Sequence, residues 1–197
     1  MHSFDYDLFS VACTQELRRR FFPDDPEWII EQGFVLDRDF LQSLGRYDIV
    51  YSWGVLHHTG KMWEAIDNVS KIVNQNGMLF IAIYNDQGGK SKIWLKVKQM
   101  YCSSRIGRLL VLSIFIPYMF LMAVAASIAQ KENRFAAYKK KRGMSIVYDW
   151  FDWLGGYPFE VAKVEHILLL LRNRGFRLRN LKTTNSSANN QFVFIKE

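Results

Sequence analysis

Arg46 to Gly88, RYDIVYSWGVLHHTGKMWEAIDNVSKIVNQNGMLFIAIYNDQG, constrains the fold more than any other stretch, because it reads as strand, loop, helix, turn and strand. Tyr47 to Trp53 is a short apolar run that suits a strand buried on both faces of a parallel sheet. Gly54 breaks the run. From Lys61 to Val73 the apolar residues Met62, Ala65, Ile66, Val69, Ile72 and Val73 recur at helical spacing, leaving Glu64, Asp67, Asn68 and Lys71 for the outer face. Asn76-Gly77 ends that helix, and Met78 to Tyr84 is a second apolar run bounded by turn residues. The unit is therefore βαβ with a right-handed crossover. Ligands of such sheets sit beyond the carboxyl ends of the strands, here SWGVLHH and YNDQG.

The rest of the chain fits around that unit as one domain over residues 1–197. Residues 2 to 6 predict a strand ending at Asp5 and Asp7. A helix follows, capped by Asp7 or Ser10, with Val11, Ala12 and Leu17 inward and Arg18 to Arg20 in its last turn. Trp28 to Val35 is a strand candidate interrupted by Gly33, and Asp39 to Leu44 a short helix. Ser91 to Ser103 is amphipathic through Ile93, Trp94, Val97 and Tyr101. A helix packed through Val164, Ile167, Leu168 and Leu171 ends at Gly175, and the runs 176–183 and 191–196 flank NSSANN as an antiparallel hairpin.

The formal charge of +7 is not spread evenly. Between Lys90 and Arg142 twelve basic residues face one acid, Glu132, so the basicity belongs to one segment. Within it, 109–128 is a run of twenty uncharged residues containing Pro117. The length suits a membrane span, but the small residues and the proline predict a buried or substrate-covering helix pair broken near Pro117. The competing expectation is an anionic membrane surface contacted through 109–142. Nucleic acid is disfavoured, because the aromatics of 143–158 do not alternate with basic residues as a stacking platform would require. Cys13 and Cys102 are too far apart to frame disulfides or a metal site, and no basic-then-apolar leader opens the sequence. The expectation is a cytoplasmic protein, peripheral to the inner face of a membrane if 109–142 docks there.

Several residues carry candidate chemistry. Asp5, at a strand end, suits the vicinal hydroxyls of a ribose, or else caps the next helix. Val35, Leu36 and Asp37 offer two aliphatic chains and a carboxylate for an adenine, with a solvated loop acid as the alternative. His57 and His58 share one loop at the ligand edge; one of them is expected to pack against the sheet or cap the next helix, and either could act as general base. No further His or Cys stands at metal-ligand spacing around the HHT triplet.

Asp5-x-Asp7, GFVLD, YDIVYSWGVLHHTG and NGMLFIAIYNDQG resemble, in order and spacing, the later cofactor motifs of class I S-adenosylmethionine-dependent methyltransferases over about residues 1 to 86. The resemblance implies a three-layer αβα Rossmann-like sheet, mostly parallel, closed by the C-terminal antiparallel hairpin. It implies S-adenosylmethionine as cofactor, with Asp5 on the ribose, Val35, Leu36 and Asp37 on the adenine, and Ser52, Trp53 and Gly54 near the methionine moiety. The acceptor would be a small molecule, met by Tyr84, Asn85 and Tyr157, with His57 or His58 taking its proton and the helical insertion 90–158 forming a lid. One departure stands out: the family's first strand and glycine-rich loop have no counterpart. In the family order 3-2-1-4-5-7-6 that strand separates the 2–6 strand from the 47–53 strand. Truncation is the reading adopted, over closure of the two strands on each other or insertion of another polypeptide, and it implies a chain incomplete as an enzyme alone. The alternative is a non-catalytic remnant of the fold that works at a membrane through 109–142.

Overall fold

The computed structural model describes residues 1–197. Its elements are β1 (His2–Asp5), α1 (Leu8–Phe21), β2 (Ile29–Gln32), α2 (Arg38–Ser43), β3 (Tyr47–Trp53), α3 (Met62–Lys71) and β4 (Val73–Tyr84), with a short 3-10 turn, Leu56–His58, between β3 and α3. Four helices follow: α4 (Gly89–Ser103), α5 (Arg105–Gln130), α6 (Arg134–Arg142) and α7 (Ile146–Gly155). The chain closes with α8 (Val164–Arg172), β5 (Phe176–Lys182) and β6 (Asn189–Lys196).

Strand pairing yields two sheets. β1 and β2 run parallel to each other, while β3, β4, β6 and β5 form a second sheet in that order, β3–β4 parallel and β6 antiparallel to both neighbours. The α/β architecture with a parallel half and a closing antiparallel hairpin is thus as expected. No ladder joins β1 to β3; they touch through side chains, the Tyr47 hydroxyl lying 3.1 Å from His2 Nδ1. The strands do not close on each other, and each keeps one unpaired edge.

The core lies on one face of the four-stranded sheet. Val50, Leu79, Ile81, Ile83, Phe192 and Phe194 meet Leu41 of α2, Met62, Ala65, Ile66 and Val69 of α3, and Ile167 and Leu171 of α8. Since strand side chains alternate between faces, Ile49, Tyr51 and Trp53 point the other way, and they stand 57%, 65% and 38% exposed. The expected burial of β3 on both faces is therefore corrected: no helix covers its second face. α1 buries only Val11, while Leu17 and Ala12, expected to face inward, remain exposed. Asp7 rather than Ser10 caps α1, accepting from the Ser10 N–H at 3.0 Å.

Five further expectations change. The helix expected to end at Asn76-Gly77 stops at Lys71, and β4 already begins at Val73 rather than Met78. β2 stops at Gln32, because the Gly33 N–H turns to the Asp5 carbonyl at 3.0 Å and Phe34 to Asp37 form a turn. Asn68 is buried instead of facing outward, its amide donating to the Val35 carbonyl at 3.2 Å. The segment 109–128 is neither a broken pair nor buried: α5 is one continuous helix that carries Pro117, and only 11% of its apolar window is buried. In α4, Ile93 is 64% exposed and the buried positions of that helix are Ser91 and Lys98.

Candidate active site

The carboxyl ends of β3 and β4 are built by two short connections. Gly54 leaves β3 at φ +78°, a left-handed conformation that favours glycine, while its N–H still reaches the Ala82 carbonyl at 3.3 Å. The turn that follows delivers His57 and His58 to the end of β4, where Tyr84 is the hub. The Tyr84 ring lies 4.0 Å from His57, 5.5 Å from His58, 5.4 Å from Trp153 and 5.2 Å from Phe159, measured between ring centres. Burial, with the charges of Asp152 and Asp149, pushes its phenol up to about 12.

The two histidines differ. His57 has no exposed surface; its Nδ1 faces the Tyr84 N–H at 3.4 Å, so the ring proton falls on Nε2, which has no partner. Burial first, then the neighbouring His58, lowers its pKa to about 3, so the ring is neutral and cannot serve as an accessible base. His58 is half-buried, and its Nδ1 lies 2.6 Å from the Pro158 carbonyl. Only an N–H can serve that oxygen, so the tautomer is fixed and Nε2 is left as a lone-pair acceptor. Burial lowers its pKa, against the opposing pull of the Pro158 carbonyl.

Two residues of the site, Lys98 and Trp153, went unread in the sequence, whereas the GGYPFE turn that holds Phe159 and Glu160 was expected to line the acceptor side. Lys98 is fully buried. Its Nζ donates to the Trp153 carbonyl, lies 4.1 Å from the Trp153 ring centre and 5.0 Å from that of Phe159, and burial lowers its pKa to about 8. The signal for it was present: a lysine four residues after Trp94 and three before Tyr101 sits on the apolar stripe of α4. Glu160 accepts from the Met62 N–H at 2.9 Å, supplying the cap that the α3 start lacks, and its own N–H donates to the His57 carbonyl at 3.0 Å. Gly156 passes so close that an added Cβ would meet His58 Cε1 at 3.1 Å and Lys98 Nζ at 3.4 Å.

The remaining sequence candidates fall into two groups. Asp5 ends β1 half-buried, with one carboxylate oxygen accepting from the Asp7 N–H at 2.8 Å. Leu36 is half-exposed and Asp37 exposed, the latter capping α2 through the Phe40 N–H at 3.0 Å; Val35 is buried in the core, so its side chain is not free for a ligand. Trp53 stands on the second face of β3, where it stacks on Tyr51 at 5.6 Å, while Ser52 alternates to the side of Val50 and Gly54 follows at the strand end. Beside Gly54, the Asn189 Oδ1 is buried without a partner. Asn85 is committed to structure: its amide donates to the Thr184 and Ser186 carbonyls at 2.9 and 3.3 Å and accepts from Asn190 at 3.1 Å. Tyr157, 44% exposed, stands at the rim. A cavity of about 500 Å³ lies elsewhere, among Arg38, Gln42, Arg46, Asn68 and Lys71 at the amino end of β3 and β4.

No protein-family model matches the sequence, and no curated protein matches it. Solved structures do share its fold. Magnesium protoporphyrin IX methyltransferase (ChlM) from Synechocystis PCC 6803, crystallised with bound SAH, superimposes with a TM-score of 0.55 at 10% identity, covering 100% of this chain and 64% of that one. PKMT2 from Rickettsia typhi in complex with AdoHcy gives 0.59 at 11% identity, covering 100% and 44%. An O-methyltransferase family protein from Burkholderia thailandensis gives 0.54 at 12% identity, covering 99% and 43%. The chain has the class I methyltransferase fold, and it spans less than two thirds of the length of these neighbours.

Proposed function

We infer that the chain binds S-adenosylmethionine and transfers its methyl group to a small acceptor bearing a hydroxyl or an amine. The observation that carries this reading is the free Nε2 of His58, held in one tautomer at the carboxyl end of a βαβ unit of methyltransferase fold. The Asp5 carboxylate would take the ribose hydroxyls, Leu36 and Asp37 the adenine, and the backbone of Ser52 to Gly54 the methionine end. Val35 would contribute only through its backbone. The unpaired Asn189 Oδ1 beside Gly54 fits an ammonium or hydroxyl donor there. When bound, S-adenosylmethionine supplies an electrophilic methyl group on a sulfonium.

The residues of this chain do the rest. Tyr84, Trp153 and Phe159 wall the acceptor side with aromatic surface that excludes water. His58 Nε2 receives the acceptor's proton as the nucleophile attacks, and general-base catalysis of this kind contributes about 10²–10⁴ in rate. The helices α4 and α7 act as a lid, pinned by the Lys98 to Trp153 contact, and Tyr157 meets the acceptor at the rim. The unpaired edges of β1 and β3 leave the cofactor wall open between them, so the chain alone should bind weakly.

Isothermal titration of the folded chain with S-adenosylmethionine and with S-adenosylhomocysteine tests this. Saturable heat with both, lost in Asp5→Ala, supports it. A chain with native circular dichroism that yields no saturable heat with either ligand overturns it and leaves the sheet a scaffold.

A further inference from the structure

We propose that α5 is an in-plane membrane anchor that seats the protein on an anionic lipid bilayer. The helix is 26 residues long, about 39 Å at 1.5 Å per residue. A core helix of that composition would be mostly buried; this one is not. Leu109, Leu110, Ile114, Leu121, Met122 and Ile128 are each more than half exposed, and no charge interrupts the run from Leu109 to Ile128. An apolar face of this extent marks a contact surface.

The charges say what covers it. Arg105 and Arg108 flank one end, Lys131 and Arg134 the other, and Lys139 to Arg142 lie exposed on α6. Between Lys90 and Arg142 only Glu132 opposes them. Two copies docked through α5 would bring basic ends against basic ends in either orientation. An anionic bilayer offers hydrocarbon for the face and headgroup charge for its rim.

The packing of α5 sets its orientation. Along its first half it rests on α4, with Phe115 5.5 Å from Trp94 and Arg108 5.2 Å above Tyr101. Along its second half it rests on α6 and α7, with Phe120 5.7 Å from Phe135 and Ala123 packed with Ile146 and Trp150. A spanning helix would carry Lys92, Lys96 and the α6 cluster into hydrocarbon, at heavy cost. A helix backed by protein on one side along its whole length lies in the interface.

Flotation of the full chain with phosphatidylcholine vesicles, with and without phosphatidylglycerol, tests this independently of any methyl donor. The chain should rise with the phosphatidylglycerol vesicles. Ile114→Glu/Leu121→Glu, exposed positions whose circular dichroism should stay native, should lower partitioning more than tenfold, and each of Lys139→Gln and Lys140→Gln about fivefold. In a Cys13→Ser background, an impermeant thiol reagent outside the vesicles should label both Cys102 and Lys131→Cys. Three results overturn the proposal: a chain that stays down with both vesicles, a glutamate variant that floats like the parent, or labelling of one flank only, which is the signature of a span. So does a dimer formed without vesicles and abolished by the same glutamates.

Discussion

His58 and Pro158 are joined by a 2.6 Å hydrogen bond from the imidazole Nδ1–H to a carbonyl one hundred residues further on. That contact ties the connection after β3 to the segment that follows α7, and it decides which imidazole nitrogen can accept a proton. His57, one residue earlier, is spent on the opposite task, filling space against Tyr84. Adjacent residues thus divide packing and chemistry between them.

If Nε2 of His58 is the proton acceptor, His58→Asn should lower turnover about 10²–10⁴-fold, since asparagine cannot take a proton at that position. Cofactor affinity should not move, because His58 is placed on the acceptor side. Steady-state rates against titration heats separate the two; equal losses in both would show that the residue only supports the fold.

The pKa of His57 near 3 has a consequence for stability. Its value in the unfolded chain is the ordinary 6.5, so between about 6.5 and 3 the unfolded state binds more protons, and stability falls as pH falls through that window. At pH 5 the loss from this one group is about 2 kcal/mol. His57→Phe keeps an aromatic ring against Tyr84 and should flatten the acid limb of the stability curve, read as denaturant midpoints from pH 7 to about 5.

How much of this was legible in the sequence depends on which physics decides each residue. β3 could be read residue for residue, and the inward face of α3, from Met62 to Val69, is buried as its periodicity requires. The terminal hairpin was equally plain, because turn chemistry and alternation are local. Burial of the second β3 face was not readable, since it depends on which helix reaches Tyr51 and Trp53, and none does. Asn68 looks like a surface residue until the Val35 carbonyl turns up beside it, and Lys98 looks like one more charge in a basic segment until Trp153 closes over it. The exposure of α5 is a fact of tertiary placement that twenty apolar letters cannot express.

Asp5 and Asn85 make a contrasting pair for mutagenesis. Asp5→Asn preserves an acceptor for the Asp7 N–H and so should leave the melting temperature unchanged. Removing the charge from the ribose contact should weaken cofactor binding by about 1.5–3 kcal/mol, roughly 10- to 100-fold. Asn85→Ala removes three hydrogen bonds that hold the 184–190 loop, at a cost of about 2 kcal/mol, with KM for any acceptor unchanged in the molecules that remain folded. Calorimetry and titration on both variants would expose a reversal of these roles.

Lys98 offers a test on the alkaline side. Its Nζ has a carbonyl and two aromatic faces for company but no carboxylate in hydrogen-bond contact, and burial lowers its pKa from the ordinary 10.5 to about 8. Below about 8 both folded and unfolded chains carry the proton, and the folded chain bears the cost of burying the charge. Between about 8 and 10.5 the unfolded chain holds more protons, so stability should rise with pH through that window, by about 3 kcal/mol at most. Lys98→Met keeps the length of the side chain, removes the charge and should abolish the rise. At neutral pH it removes the buried charge but leaves the Trp153 carbonyl without its donor, a loss of about 1–3 kcal/mol that offsets part of the gain. The slope of stability against pH is therefore the decisive readout, and a variant whose alkaline slope matches the parent would show that Lys98 is not the titrating group.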